Sequence, residues 1–288
     1  MPCGRQQTQV APKSGRYRGA VFTAGKRDSI REQLLGLAER DPAVVGAAIT
    51  GSHAVDGGDR WSDIDLAFGI EGSLDAVMHR WTDMLYRDFA AVHHWDLPSG
   101  SAVYRVFLLA DMLEVDIGFT PAAEFGPHGP TWRTVFGHPG QAKEDLRPEW
   151  RALVGLGWHH ALHAWISIQR HRWWQAEQWI SALRGQVLAL ACLRLGHPTS
   201  YAKGAHLLPP EVTSPLDTTL VRALNEAELT RALSAATDAL TGELALADAA
   251  LAARLAFVLS DLCTDNPRPD EPDGSEEPSV DLPAESAS

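Results

Sequence analysis

One stretch constrains the fold more than any other: an apolar run, Val44–Thr50, closes on Gly51-Ser52, and ten residues later the chain reads Asp63-Ile64-Asp65-Leu66. From Asp63 to Ile70 acidic or small residues alternate with apolar ones, the period-two pattern of a strand with one apolar face. Asp63 and Asp65 then point the same way, their Cα atoms about 6.5 Å apart from the rise of an extended chain. Two carboxylates on one face can share divalent cations. Small residues at Gly51-Ser52 let backbone N–H groups and the Ser52 hydroxyl approach phosphate oxygens. A later segment, Met112–Gly118, repeats the theme. Glu114 and Asp116 share a face, which supplies the third carboxylate that a two-metal phosphoryl or nucleotidyl transfer site requires.

The surrounding pattern places these strands in a larger unit. Asp28 or Ser29 is expected to cap a helix running to about Arg40, ended by Asp41-Pro42 because proline disfavours helical conformation in the residue before it. Ser73 caps a second helix through about Ala91, and strands are expected over 92–96, 102–109 and 113–119. Helix, strand, strand, helix and further strands make a mixed α/β sheet covered by helices. Beyond a Gly- and Pro-rich connector the pattern turns helical, over 149–169, 173–195, 216–224 and 226–262. In the last of these, Leu229, Leu233, Leu240, Leu244, Leu251, Leu255 and Leu259 recur at spacings of four and seven, an apolar stripe. The expected fold is therefore α+β, an N-terminal mixed-sheet domain (28–125) joined by a connector (126–148) to a C-terminal α-helical bundle (149–265). Residues 1–27 read as a flexible basic arm and 266–288 as a disordered acidic tail with almost nothing to bury.

Charge narrows the partners. The 288 residues carry a formal net charge of −12, and the two ends oppose each other: six basic groups and no acid in 1–27, seven acids against Arg268 alone in 266–288. The excess of acid belongs to the body between them. An acidic body argues against a general nucleic-acid binder, whose affinity comes from Lys and Arg neutralising phosphates. It suits a metal ion or a cationic small molecule better. Cys3, Cys192 and Cys263 are far apart and form no CxxC pair, so a reducing cytoplasm is the simplest setting. The N-terminus lacks the apolar core of a secretory signal, and no segment qualifies as a membrane span.

Gly51-Ser52, ten intervening residues, Asp63-Ile64-Asp65-Leu66 and Asp116 on a later strand together resemble the DNA polymerase β-like nucleotidyltransferase superfamily, over roughly residues 44–119. A small catalytic domain followed by a helical bundle is similar to its antibiotic-modifying members, which act on aminoglycosides and lincosamides. The resemblance implies a nucleotidyltransferase, an adenylyltransferase moving AMP from ATP, that uses two Mg²⁺ ions. It implies that Asp63, Asp65 and Asp116 bind metal, that Gly51 and Ser52 hold the nucleotide's β- and γ-phosphates, and that a small-molecule hydroxyl is the acceptor, bound between the domains. Asp116 is also a candidate general base. Glu114 is a second, because Leu113-Glu114-Val115 matches a run that carries the base in some streptomycin/spectinomycin adenylyltransferases. Glu177 in the helical region is a third, since several relatives take their base from there. Such folds are commonly homodimers. A same-chemistry enzyme acting on a protein, and a non-catalytic nucleotide sensor, are the alternative readings.

Other residues carry weaker signals. Arg60 and Arg184 are candidates for phosphate contact, with surface ion pairing the bland alternative. Glu177 has a surface glutamate as its alternative. His159 and His163 lie four apart on a helix, a metal-binding spacing, but without the accompanying Glu motif they read first as packing residues. Six tryptophans fall between Trp150 and Trp179, where bundle core is the default expectation.

Overall fold

The computed structural model describes residues 21–55, 57–129, 131–142 and 148–262. The arm up to residue 20 and the tail beyond 262, with the expectations placed on them, lie outside the described residues. The chain divides into two units, Met1–Leu146 and Arg147–Ser288. The described residues are α+β: a six-stranded mixed sheet with two α-helices in the first unit, and helices without strands in the second.

In the first unit, α1 (Ala24–Arg40) starts earlier than the cap expected at Asp28 or Ser29. Thr23 caps it instead, its Oγ1 accepting the Lys26 N–H at 3.2 Å, and the buried Phe22 just before it ties the entry to the core. Strands β1 (Val44–Thr50) and β2 (Ile64–Ile70) follow as expected, then α2 (Leu74–Asp88), capped by Ser73. The remaining strands are β3 (Ala91–Ser99), β4 (Ala102–Leu109), β5 (Glu114–Pro121) and β6 (Trp132–Phe136). β3 runs past its expected end through Pro98, which an edge strand tolerates. β6 lies inside the segment expected to be a connector; five residues between Gly and Pro turns give too little alternation to be seen.

The strand order is β3-β4-β5-β2-β1-β6. β2 and β5 pair in parallel; every other neighbouring pair is antiparallel. Alternation gives the sheet two unlike faces. One carries Ile64, Leu66, Phe68 and Ile70 of β2 and Val115, Ile117 and Phe119 of β5, packed with Ile30 and Leu34 of α1 and Trp81 and Leu85 of α2. The other carries Asp65, Ala67 and Gly69 beside Asp116, Gly118 and Thr120. Both helices thus cover the apolar face, and the carboxylates stand on the opposite one.

The second unit contains α3 (Trp150–Gln169), α4 (Trp173–Arg194), the single turn α5 (Pro210–Thr213), α6 (Glu226–Ala247) and α7 (Ala249–Asp261). The helix expected over 226–262 is two helices. Asp248 breaks it in an extended conformation, and its carboxylate caps α7 by accepting the Leu251 N–H at 2.9 Å. The expected helix over 216–224 is instead a 3₁₀ segment, Ser214–Thr219, because Pro215 and the Thr218-Thr219 pair favour a short tight turn. The leucine stripe still faces one core: Leu229, Leu233, Leu240, Leu244 and Leu259 are buried against Ile168, Ile180 and Leu183. Trp150, Trp165, Trp173 and Trp179 pack at its margin, whereas Trp158 and Trp174 are exposed.

Asp41, at the end of α1, joins α1 to α2. It accepts from the Ala43 N–H (3.0 Å), Trp81 Nε1 (3.0 Å) and Arg80 (3.2 Å). Burial alone would raise its pKa, but these donors together lower it. A depressed carboxylate contributes stability above its unfolded pKa and loses it as pH falls through the folded value. Asp41→Ala should therefore cost about 1–3 kcal/mol at neutral pH by leaving the Trp81 indole N–H unpaired. Thermal melts should show that difference shrinking below about pH 4, where wild type also loses the charge.

Candidate active site

Parallel pairing aligns Asp65 directly with Asp116 in the β2–β5 register. Neighbouring strands lie about 4.8 Å apart, so the two side chains rise together from the same face. Asp63 and Glu114 each stand two residues earlier and continue that face. Asp116 carries the clearest electrostatic signature: its pKa is pushed up to about 7, first by burial and then by the charges of Glu114 and Asp63. Its Oδ1 is buried without a hydrogen-bond partner. Burial and Asp63 also raise Glu114, and burial with Asp116 raises the Tyr104 phenol across on β4. The expectation of a shared acidic face on adjacent strands is met in this geometry.

Gly51 ends β1 with φ +62°, and a Cβ there would stand 2.0 Å from Asp65 Oδ2. Only glycine fits: its backbone is left-handed, and the Asp65 carboxylate occupies the place of its side chain. From Gly51 the chain forms a 3₁₀ turn, Gly51–Val55, then bends back to β2. Ser52 and Ser62 tie the two ends together, Oγ to Oγ at 3.2 Å. Ser62 Oγ also accepts the Asp59 N–H at 2.9 Å, and Asp59 Oδ1 accepts the Trp61 N–H at 2.8 Å. His53 lies so close to Gly58 that a Cβ there would meet its ring at 2.3 Å. Burial, then Arg27 and Arg31, lower the His53 pKa. Arg133 of β6 donates to the His53 carbonyl at 3.1 Å, so the strand missed in the sequence anchors this loop too.

Arg60 is exposed, its guanidinium 3.8 Å above the Trp61 ring. Glu177 and Arg184 belong to α4 of the second unit. Arg184 is committed to structure: it donates to the Thr219 carbonyl (3.0 Å) and Ser181 Oγ (2.9 Å), pinning the 3₁₀ segment to α4. Burial lowers its pKa, with Glu177 acting against that shift. His159 and His163 stack 4.3 Å apart, with His163 and Trp179 at 5.2 Å, as a packed aromatic group.

A small cavity of about 170 Å³ opens on the carboxylate face of the first unit. Thr50, Gly51, Tyr104, Thr120, Thr131 and Trp132 contribute to its wall. Gly51 abuts Asp65 and Tyr104 feels the charge of Asp116, so the cavity adjoins the acidic cluster. Glycine makes the room: a Cβ on Gly118 would come within 3.0 Å of the Tyr104 ring. Tyr104 and Trp132 were not singled out in the sequence; each is a lone aromatic whose role depends on which strands become neighbours.

No family model matches this chain, and no curated protein matches it either. Among solved structures, an aminoglycoside 6-adenyltransferase from Bacillus subtilis aligns over 80% of this chain and 95% of its own, at 10% identity and a TM-score of 0.35. A CD-NTase from Bradyrhizobium diazoefficiens, solved with GTP, aligns over 77% and 72% at 15% identity and a TM-score of 0.26. At these scores the functional reading rests on the chain's own geometry.

Among the described residues, no three His, Cys, Asp or Glu side chains are already gathered to hold a metal ion. The residues nevertheless fit Mg²⁺ in their chemistry. They offer hard carboxylate oxygens, one of them buried and unpartnered, and Mg²⁺ usually takes one or two carboxylates with substrate phosphates and water completing its shell.

A charged Asp116 opposes folding in the absence of a cation. Because its folded pKa is raised, its favourable contribution is present below about pH 4 and is lost as pH rises through about 7. Asp116→Asn should therefore melt a few degrees above wild type at pH 8 in a chelating buffer, with the advantage vanishing by about pH 4. Calorimetry across that range reads the sign directly.

Proposed function

We propose that this chain is a nucleotidyltransferase that moves a nucleoside monophosphate, AMP from ATP in the simplest case, onto a hydroxyl of a small molecule such as an aminoglycoside-type antibiotic. The observation that carries the reading is the in-register pair Asp65 and Asp116, flanked by Asp63 and Glu114 and abutting Gly51. Four carboxylates on one face, one of them lifted to about 7, are a costly arrangement for a fold to keep without a cation to bind.

In this reading Gly51 and Ser52 take the β- and γ-phosphates, and Asp63, Asp65 and Asp116 hold two Mg²⁺ ions. Bound there, the ions would lower the acceptor hydroxyl's pKa and offset charge on the departing pyrophosphate. The acceptor oxygen attacks the α-phosphorus in line, the bond from that phosphorus to the bridging oxygen breaks, and pyrophosphate leaves. The hydroxyl proton passes to a carboxylate. Asp116, pushed up to about 7 by burial and by the charges of Glu114 and Asp63, and Glu114, raised by burial and by Asp63, are the candidates on this face. Glu177 remains the candidate from the helical unit.

The cavity beside the carboxylates supports a small acceptor over a protein one. Its hydroxyl-bearing and aromatic wall suits one polar ring of a ligand, with Trp132 as a stacking face. A net charge of −12 favours amine-bearing acceptors at long range.

The test is pyrophosphate release with Mg²⁺, each nucleoside triphosphate and a panel of aminoglycosides and lincosamides. Asp65→Asn should abolish turnover while keeping the wild-type melting profile. Of Asp116→Asn, Glu114→Gln and Glu177→Gln, the variant lacking the base should lose about 10²–10⁴-fold in kcat. Labelling of a protein partner with no small-molecule turnover would favour the protein-modifying alternative, and triphosphate binding without any transfer would favour the sensor.

A further inference from the structure

Arg27 of α1 is only 4% exposed, although nothing in its own helix requires a buried cation there. Its guanidinium reaches under the loop that joins β1 to β2. Nη1 donates to the carbonyl of Asp59 and to that of Ser62 at 3.3 Å. Nε donates to Asp28 Oδ1 at 3.1 Å. The two carbonyls bracket the short turn whose side chains build the loop's inner network. Ser62, held by its carbonyl, is the residue whose Oγ reaches Ser52, and Asp63 follows it directly.

The charge balance is as telling as the geometry. Burying a guanidinium is unfavourable unless its partners compensate. Here the carbonyls are neutral, and the one carboxylate, Asp28, is shared with Arg31 at 3.1 Å and is itself 40% exposed. Arg27 and Arg31 thus share one ion-paired carboxylate behind the loop, and the Asp59 carboxylate on the loop also feels the Arg27 charge. His53, on the loop, is held toward its neutral form partly by these same arginines.

We propose that Arg27 is a positioning residue for the triphosphate. It fixes the 59–62 turn through two backbone carbonyls and places a water-excluded positive charge behind the Gly51-Ser52 segment. The loop is thereby preorganised, so a polyphosphate meets fixed dipoles and a fixed charge rather than having to order them. Both carbonyls are met by the one nitrogen Nη1, and the planar guanidinium leaves Nε free to hold Asp28 at the same time. This inference rests on the nucleotidyl-transfer reading and names a residue that acts on the donor, not on the acceptor or the proton.

The experiment compares Arg27→Met, Arg27→Lys and Asp28→Asn in the full chain. Binding of α,β-methylene-ATP and α,β-methylene-GTP with Mg²⁺ is measured by calorimetry, alongside steady-state pyrophosphate release. Arg27→Met should weaken binding of the tighter analogue, and raise the triphosphate KM, by about 10–100-fold, with acceptor KM unchanged and kcat within about fivefold of wild type. Arg27→Lys should fall between, because an ammonium restores the charge but cannot hold the two carbonyls and Asp28 from separate nitrogens at once. Asp28→Asn, which removes only the counter-charge, should bind the analogue as tightly as wild type or more so. An Arg27→Met chain with native melting behaviour and unchanged analogue affinity overturns the proposal. So does a loss of kcat with triphosphate KM intact. Should Arg27→Met fail to fold, Arg27→Lys with wild-type affinity overturns it equally. Wild-type chain that binds neither analogue removes the underlying reading together with the proposal. Binding by wild type that Arg27→Met leaves untouched removes the proposal alone.

Discussion

The parallel pairing of β2 with β5 puts Asp65 beside Asp116, and the site depends on that register. A one-residue slip of either strand would turn its own carboxylate into the apolar layer and bring Leu66 or Ile117 out. The register is held by what lies on the other face. Ile64, Leu66, Phe68, Val115, Ile117 and Phe119 are each no more than 1% exposed, packed under α1 and α2. Each such side chain contributes roughly 1.5–3 kcal/mol of burial. The chemistry on one face is thus positioned by the hydrophobic effect acting on the other.

That division also explains how the fold tolerates its acids. Burial, together with the charges of Glu114 and Asp63, raises Asp116 toward neutrality, and its buried Oδ1 finds no protein partner. Local destabilisation of this kind is common where a protein must bind a cation or move a proton. Around it, the supporting structure is tightly specified. Gly51 leaves the space that Asp65 fills, Gly58 leaves the space that His53 fills, and three basic or hydroxyl side chains (Arg27, Arg133 and Ser62) tie the loop to α1, β6 and itself.

Much of this was legible in the sequence, for a physical reason. A short apolar run and period-two alternation both survive without knowledge of neighbours, so β1 from the first, β2 and β5 from the second, and the shared faces of Asp63 with Asp65 and Glu114 with Asp116, could be read directly. Which strands become neighbours is a tertiary fact. The Asp65–Asp116 register, the Tyr104 and Trp132 walls of the cavity and the Arg27 latch could not be read from local pattern. Nor could β6, five residues hidden among turns, or the break at Asp248, where a single capping carboxylate interrupts an otherwise continuous leucine stripe. Arg184 shows the reverse limit: an arginine suited by type to phosphate is engaged with Thr219 and Ser181.

The net charge of −12 weighs against a nucleic-acid partner, and the fold gathers part of it on one sheet face, where the proposed reaction would bring a metal-bound triphosphate. The most direct test is a crystal structure of the chain with α,β-methylene-ATP or α,β-methylene-GTP and Mn²⁺, located by its anomalous scattering. The account predicts manganese within about 2.5 Å of carboxylate oxygens from Asp63 and Asp65, with the triphosphate lying against Ser52. Nucleotide and metal bound elsewhere on the chain, or a triphosphate at Ser52 with no metal at those two aspartates, would contradict it.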